Sequence, residues 1–539
     1  MERTIRIDCS AGEALGYLCN SSVDSSLPQS MNTKTITKNS IWYGIETFAN
    51  LFLTFFTSIV IARAFGPEKL GYFLYLWWIA GIAGVLGSLG IPGATRKYMS
   101  EYFGRGQMGL AKTVFYRTFW LQTLIAAVVT LAGLLGVWFF GDRQYRVIAL
   151  FMIGSIFPFM VNSIAAGANT ALEDLRANVP ASLVSTGIFV TAVFSSVYFG
   201  WGLLGISIGL FGMRAAELVV RLIPLVKRFD QYSAEPLDRL LSKRMFLFSG
   251  QSLILLMLGL IVWDRSEMVV LKNFCPDIRQ VTFYSIAFNI TERLLVFAQV
   301  FGTATGATMM VQYGRDSSRV RELAETSVRY LALISFPVHL GLAAIAVPLV
   351  GFTYGSKYSA AIPAIVVASC LGIPKAFFLP VQALLSSWER QDLIIRWGLV
   401  SAALNLVLDF TLIPKYGAIG AAFANGGTQT FFALALWLAA VRLLNIRLPV
   451  LPVAKTALIS GLMAVIVRLA IWWVPSLLGL AFAVILGATI YLVMVRVTHV
   501  LYPADHARLL HFKNHVPSSA RGLFEAGLNW LITTPASGG

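Results

Sequence analysis

The residues best placed to do chemistry are charged side chains set inside long apolar runs. Arg214, Glu217 and Arg221 stand at i, i+3 and i+7, on one helical face, where the glutamate can pair with either arginine and leave one positive charge in excess. Arg293, Lys375 and His339 lie deep inside three other apolar runs, where snorkelling to an interface is harder. A charge at the centre of a bilayer costs roughly 2.5–3.5 kcal/mol on insertion scales, so each such residue is a functional candidate. Arg214, Arg221, Arg293 and Lys375 are therefore expected to line an aqueous cavity and receive an anionic group. For a diphosphate, guanidinium offers paired donors and lysine a point charge. The competing reading is that neighbours neutralise them, for example Arg293 by Glu292 or Asp264, and that they only fix helix packing. Glu46, Glu217, His339 and Asp409 are the groups in spans whose charge can change on ion or proton binding, which makes them candidates for coupling. His339 follows Pro337 and equally suits a hydrogen bond to a carbonyl that the proline frees. Asp264, with Arg265 and Glu267, approaches the outer interface as a gate network or a solvated helix end.

These residues need helices that cross a membrane to position them. Of 539 residues, 57% are hydrophobic and 13% charged, against roughly 25% charged in soluble domains. A helix needs about 20 apolar residues to span the hydrocarbon. With that ruler the chain reads as an all-α polytopic membrane protein of about fourteen transmembrane helices between residues 40 and 497. Residues 1–38 read as a flexible tail, 39–228 as a first six-helix lobe, and 229–245 as a polar linker. A second six-helix lobe follows at 246–445, then helices thirteen and fourteen within 446–498, and a second tail at 499–539. In that tail, residues 519–532 suit a short amphipathic helix on the membrane surface.

Sorting lysines and arginines between alternate loops leaves most on the side of residue 1, so the positive-inside rule puts both termini in the cytoplasm. The net charge of +16 is explained by those loops, and no nucleic-acid-binding face accompanies it. Cys9, Cys19, Cys275 and Cys370 lack metal-ligand spacing, and neither a disulfide, a metal nor a cofactor is expected. The irregularly spaced His499, His506, His511 and His515 read as a solvated tail. No phosphate-cradling Gly-rich loop with Lys and Ser/Thr is present, which excludes a pump driven directly by ATP. Exterior loops of about ten residues or fewer leave little room for a glycan polymerase or glycosyltransferase site, so the expectation is a transporter and not an enzyme.

The two six-span blocks match at corresponding places. Phe65-Gly-Pro-Glu68 resembles Phe274-Cys-Pro-Asp277, and Gly93-Ala-Thr95 returns as Gly306-Ala-Thr308. Phe103-Gly-Arg105 returns as Tyr313-Gly-Arg315, and Gly202-Leu-Leu-Gly205 as Gly417-Ala-Ile-Gly420. Six is even, so both blocks start on the same side and the repeat is parallel, an arrangement common among alternating-access transporters.

At these residues the chain resembles the polysaccharide-transporter family of lipid-linked oligosaccharide flippases, within the multidrug/oligosaccharidyl-lipid/polysaccharide exporter superfamily. The resemblance is carried by the run from Ile61 to Tyr98, by "YGSKYSAAIPAI" from Tyr354 to Ile365, and by "NLVLDFTLIPKYGAIGAAFAN" from Asn405 to Asn425. Membership implies two six-helix lobes around a central cavity, with two extra C-terminal helices. It also implies export of a lipid-linked glycan across a bacterial-type cytoplasmic membrane, driven by a proton or sodium gradient. The implied partners are the lipid-linked glycan, membrane lipids, the coupling ion and glycan-assembly proteins. The alternative is a small-molecule multidrug antiporter of the same superfamily, although such antiporters usually have twelve spans.

Overall fold

The computed structural model describes residues 33–172, 178–313, 317–446, 448–474, 476–510, 513 and 521–532. Residues 1–32, most of the N-terminal tail, lie outside them. In the N-terminal half, α1 (Thr33–Gly87) is followed by α2 (Ile91–Gly104), α3 (Met108–Phe140), α4 (Arg146–Gly154), α5 (Ile156–Ala171), α6 (Asn178–Tyr198) and α7 (Gly202–Phe229). The C-terminal half runs through α8 (Arg239–Val262), α9 (Glu267–Phe274), α10 (Arg279–Tyr313), α11 (Ser317–Thr353), α12 (Ile362–Lys375), α13 (Phe378–Ser387) and α14 (Gln391–Leu444). Then come α15 (Val450–Trp473), α16 (Leu477–Val497), α17 (Pro503–Leu510) and α18 (Arg521–Leu531). No strand occurs among the described residues.

Among the described residues, eleven helical segments are long and apolar enough to cross a membrane. Many large apolar side chains on them face outward, among them Trp120, Leu124, Val128 and Leu131 along α3. Exposed apolar surface on that scale needs lipid as its solvent. The protein is thus an integral membrane protein. Two of the eleven belong to helices of double length that are broken along their course. α14 has 54 residues, about 80 Å at 1.5 Å per residue, against a hydrocarbon core of roughly 30 Å. It is broken at Gly417, whose φ of 54° and ψ of −128° are not helical. The 55-residue α1 is likewise broken at Gly66, with φ 73° and ψ 170°, beside Pro67. Each of these segments has the length of two passes. α10 has 35 residues, with an uncharged apolar run over 294–311, and is also long enough to cross.

Broken helices are tolerated in a bilayer only where other groups satisfy the freed backbone. At Gly417 the Gln280 side chain accepts from the amide of Ala418 at 2.9 Å and caps the second leg of α14. Gly202, its counterpart in the sequence match, also has a left-handed φ, 65°. α7 and the second leg of α14 thus each start at a glycine of positive φ.

α17 and α18 form inside the stretch read as a tail and pack on the α11 and α16 ends. Arg329 donates to Asp505 at 2.6 Å, with both side chains buried, and Tyr330 donates to the same oxygen at 2.7 Å. Arg508 pairs with Glu322, and Arg496 lies over the Trp530 ring. The opposite face ties the two halves together. There Arg63 donates to the carbonyls of Phe352 and Thr353, Tyr358 to that of Ala62, and Thr282 to that of Pro67.

Candidate functional site

Between the faces, α8 stands as a wall with a cavity on each side. A cavity of about 880 Å³ lies toward the N-terminal half, edged by Ser88, Gly90, Arg96, Ser163, Thr170 and Asp264. One of about 730 Å³ lies toward the C-terminal half, where Glu292, Gln299, Lys375 and Gln382 bring polar groups to an apolar lining. Leu255, Gly259 and Trp263 of the α8 segment belong to both. The size and the few converging polar groups suit an amphipathic ligand.

The four candidate cations are not gathered at one point. Arg214 is buried in α7, where it donates to Ser155 Oγ at 2.9 Å and lies over the Phe159 ring. Arg221 pairs with Glu217 at 2.8 Å, one turn away on the same helix. Lys375 faces the C-terminal cavity and pairs with Glu292, the carboxylate the sequence offers to Arg293. Arg293 lines a smaller cavity nearer the face that ties the halves together. Arg96 of α2, which is not one of those four, reaches the N-terminal cavity. His339 is 1% exposed and its Nδ1 lies 2.8 Å from the Ser335 carbonyl oxygen. Glu46 falls in α1, but its side chain lies outside the described residues.

A second constellation grows out of the break between α8 and α9. Ending α8 at Val262 and restarting at Glu267 frees carbonyls that need donors. α14 supplies them: Gln429 donates to Val262 O at 2.8 Å and Asn425 to Asp264 O at 3.1 Å. The same asparagine donates to Glu267 Oε1 at 3.0 Å, while Tyr284 donates to Oε2 at 2.7 Å. Asn405 donates to Asp409 Oδ2 at 2.9 Å and reaches Ser266 Oγ at 3.2 Å and Glu267 Oε1 at 3.5 Å. Asn405 and Asp409 are i, i+4 on one leg of α14, as Asn425 and Gln429 are on the other. Two carboxylates, 0% and 1% exposed, thus share one polar pocket. No lysine or arginine pairs with either among the described residues. Asp409 Oδ1 and Asn405 Oδ1 are buried without a hydrogen-bond partner. Buried acceptors left unsatisfied beside two carboxylates need a cation or protons.

Asp409 is a residue the sequence singles out, whereas Glu267 enters there only as a residue approaching the outer interface. Asn405, Asn425, Gln429 and Tyr284 escape notice as site residues. The available signal was two polar i, i+4 pairs facing each other across the Gly417 turn in otherwise apolar legs. Asp264 lies at the break itself, lining the N-terminal cavity and close to Arg265.

Among curated relatives, the chain is 21% identical over 391 residues to the probable low-salt glycan biosynthesis flippase Agl15 of Haloferax volcanii, covering 70% of this chain and 78% of that one. Its fold is similar to that of the lipid II flippase MurJ in an inward closed conformation. That match has a TM-score of 0.69 at 15% identity, over 85% of this chain and 99% of MurJ. An inward-facing multidrug resistance MATE transporter of the MOP superfamily aligns with a TM-score of 0.61 at 14% identity, over 73% of this chain and 94% of the other. The model of the family described as polysaccharide biosynthesis protein matches residues 36–306, and the chain belongs to that family.

Proposed function

We propose that this protein flips a lipid-linked oligosaccharide or polysaccharide precursor across the cytoplasmic membrane by alternating access, as a transporter and not an enzyme. The observation that carries the reading is the pair of cavities sharing the α8 wall between the halves of a flippase-like fold. Family membership and the flippase name of a relative covering most of the chain support a glycan substrate. In this reading residues 39–228 and 246–445 are two parallel lobes of six passes each, with α1 and α14 crossing twice. α15 and α16 are passes thirteen and fourteen, and both termini lie in the cytoplasm. Lys375 and Arg96 meet the carrier's phosphates in the cavities, while Arg214 holds α7 against Ser155 and Phe159 and Arg221 is paired within α7 by Glu217.

The pocket of Glu267, Asn405, Asp409 and Asn425 binds the coupling ion, sodium or a proton. Its placement at the α8–α9 break supplies the coupling. Neutralising the carboxylates changes what holds the break, and the break carries the wall of both cavities. This is a differential interaction with two conformations, the requirement for a ligand to shift their balance.

The multidrug antiporter is the second reading, favoured by the MATE likeness. It is weakened because the MurJ alignment takes in 85% of this chain and the MATE alignment 73%. Reconstitution into proteoliposomes with a fluorescent polyprenyl-diphosphate oligosaccharide tests the proposal. Gradient-stimulated loss of label from one leaflet is expected. Transport of cationic dyes with no movement of the lipid-linked glycan would overturn it in favour of the antiporter.

A further inference from the structure

A third cavity, of about 220 Å³, lies between the halves on the side of the α1 and α11 tie. It is smaller than the roughly 300–1,000 Å³ of sites for drug-sized ligands, so it holds one compact group. Its charged lining is all of one sign: Arg265 and Arg293 face it, and no carboxylate among the described residues does. Each guanidinium lies near an aromatic ring, Arg265 at 5.4 Å from the Phe288 centroid and Arg293 at 5.7 Å from that of Phe55. Arg265 touches a carboxylate only at the limit of an ion pair, 3.9 Å to Asp264 Oδ1, and its Nε makes no hydrogen bond.

An independent observation points the same way. Trp78 lines the cavity, is 7% exposed, and leaves its indole N–H without a partner. A buried donor left unpaired costs about 1–3 kcal/mol and is retained where something else supplies the acceptor. The remaining lining pairs a flat aromatic surface, Trp77, with the small polar groups of Asn289 and Tyr354. Aromatic faces meet the C–H face of a pyranose, hydroxyl and amide groups meet its hydroxyls, and guanidinium forks meet a carboxylate in paired geometry. A bare phosphate would use the arginines and the Trp78 N–H but leave the Trp77 ring idle.

We propose that this cavity binds an acidic sugar of the transported glycan, a carboxylate-bearing pyranose held by Arg265 and Trp78. The inference deepens the proposed function and rests on it. The cavity is placed for that role, since Trp263 and Asp264 face the large cavities while Arg265, one residue on, faces this one.

The test uses the full chain in lipid nanodiscs, with tryptophan fluorescence reporting binding of methyl glucuronide, methyl glucoside and inorganic pyrophosphate. Methyl glucuronide is expected to bind at least tenfold more tightly than the glucoside. Arg265→Gln should abolish that preference, Arg265→Lys retain part of it, and Trp78→Phe weaken glucuronide binding about threefold in a protein whose thermal transition is unchanged. Equal binding of glucoside and glucuronide would overturn the proposal. So would Arg265-dependent binding of pyrophosphate in place of glucuronide, which would assign the cavity to the carrier's phosphates. In proteoliposomes, lipid-linked glycans with and without a uronate separate the two levels. If both cross equally and Arg265→Gln slows neither, the acidic-sugar site fails and the flippase stands; if neither crosses, the flippase reading itself fails.

Discussion

Gly90 offers a direct way to bias the conformational balance. It sits in the break between α1 and α2, with φ +71° and ψ 3°, where the α8 backbone closes against it. A Cβ at this position would press into the Ser249 carbonyl oxygen and lie 3.0 Å from both Leu253 N and Ser252 Cβ. Two costs follow for Gly90→Ala. Left-handed backbone costs an L-residue about 1–2 kcal/mol, and that applies in every conformation that keeps the break. Overpacking costs about 1–3 kcal/mol, and that applies only while α8 is seated on the break. The difference between conformations is therefore the second cost alone, a shift of about five- to 150-fold against the seated state. Spin labels at Ser100 and Leu247, both exposed, report the separation of α2 and α8 by double electron–electron resonance once the four native cysteines are replaced. Gly90→Ala should deplete the short-distance population. Gly93→Ala is the control, because its Cβ would meet Ser252 Oγ at an ordinary 3.5 Å. An unchanged distance distribution in Gly90→Ala, or the same change in Gly93→Ala, would refute the argument that this contact distinguishes the two states.

Other outcomes follow from the same geometry. Glu267→Gln and Asp409→Asn keep shape and most hydrogen bonds but remove charge, so each should cut gradient-stimulated glycan movement by tenfold or more; intact stimulation in both would exclude the pocket from coupling. Asp505→Asn leaves Arg329 buried without its counter-charge, a loss of about 3–5 kcal/mol read as a lower thermal transition, and pairing it with Arg329→Met should restore most of it. Glu292→Gln should destabilise more than Lys375→Met, since the lysine side chain is 9% exposed and the glutamate 28%; the reverse order of melting temperatures would show that the cavity hydrates Lys375.

Much of the fold was legible because lipid imposes a simple ruler. Long apolar runs become helices since nothing else satisfies backbone groups in hydrocarbon. The same ruler divides the chain into runs on either side of Gly66 and of Gly417, and the structure joins each pair as one long helix broken at its glycine. Site residues divide by how their function is encoded. Asp409 stands out as a charge in an apolar run. Glu267 does not, because its burial depends on where α14 folds back upon the α8–α9 break, a contact between residues 138 to 158 positions apart. Neutral amides such as Asn405 and Asn425 carry little hydropathy signal, and only their pairing across the turn gives them meaning. Arg214 and Arg221 are conspicuous in sequence, yet locally Ser155 hydrogen-bonds the first and Glu217 pairs with the second.

The clasp between Arg329 and Asp505 also bears on the order of biogenesis. Its partners are 176 residues apart, so at ~5–20 residues per second the arginine waits roughly 10–35 s for its counter-charge to be made. Through that interval Arg329 lacks the counter-charge it has in the finished fold, and a cation resists being drawn into lipid, which keeps that end of α11 at the interface while α12 to α16 are inserted. The last helices then act as a lock closed after assembly, and a chain cut short before residue 505 would leave a nearly complete bundle with its seam open.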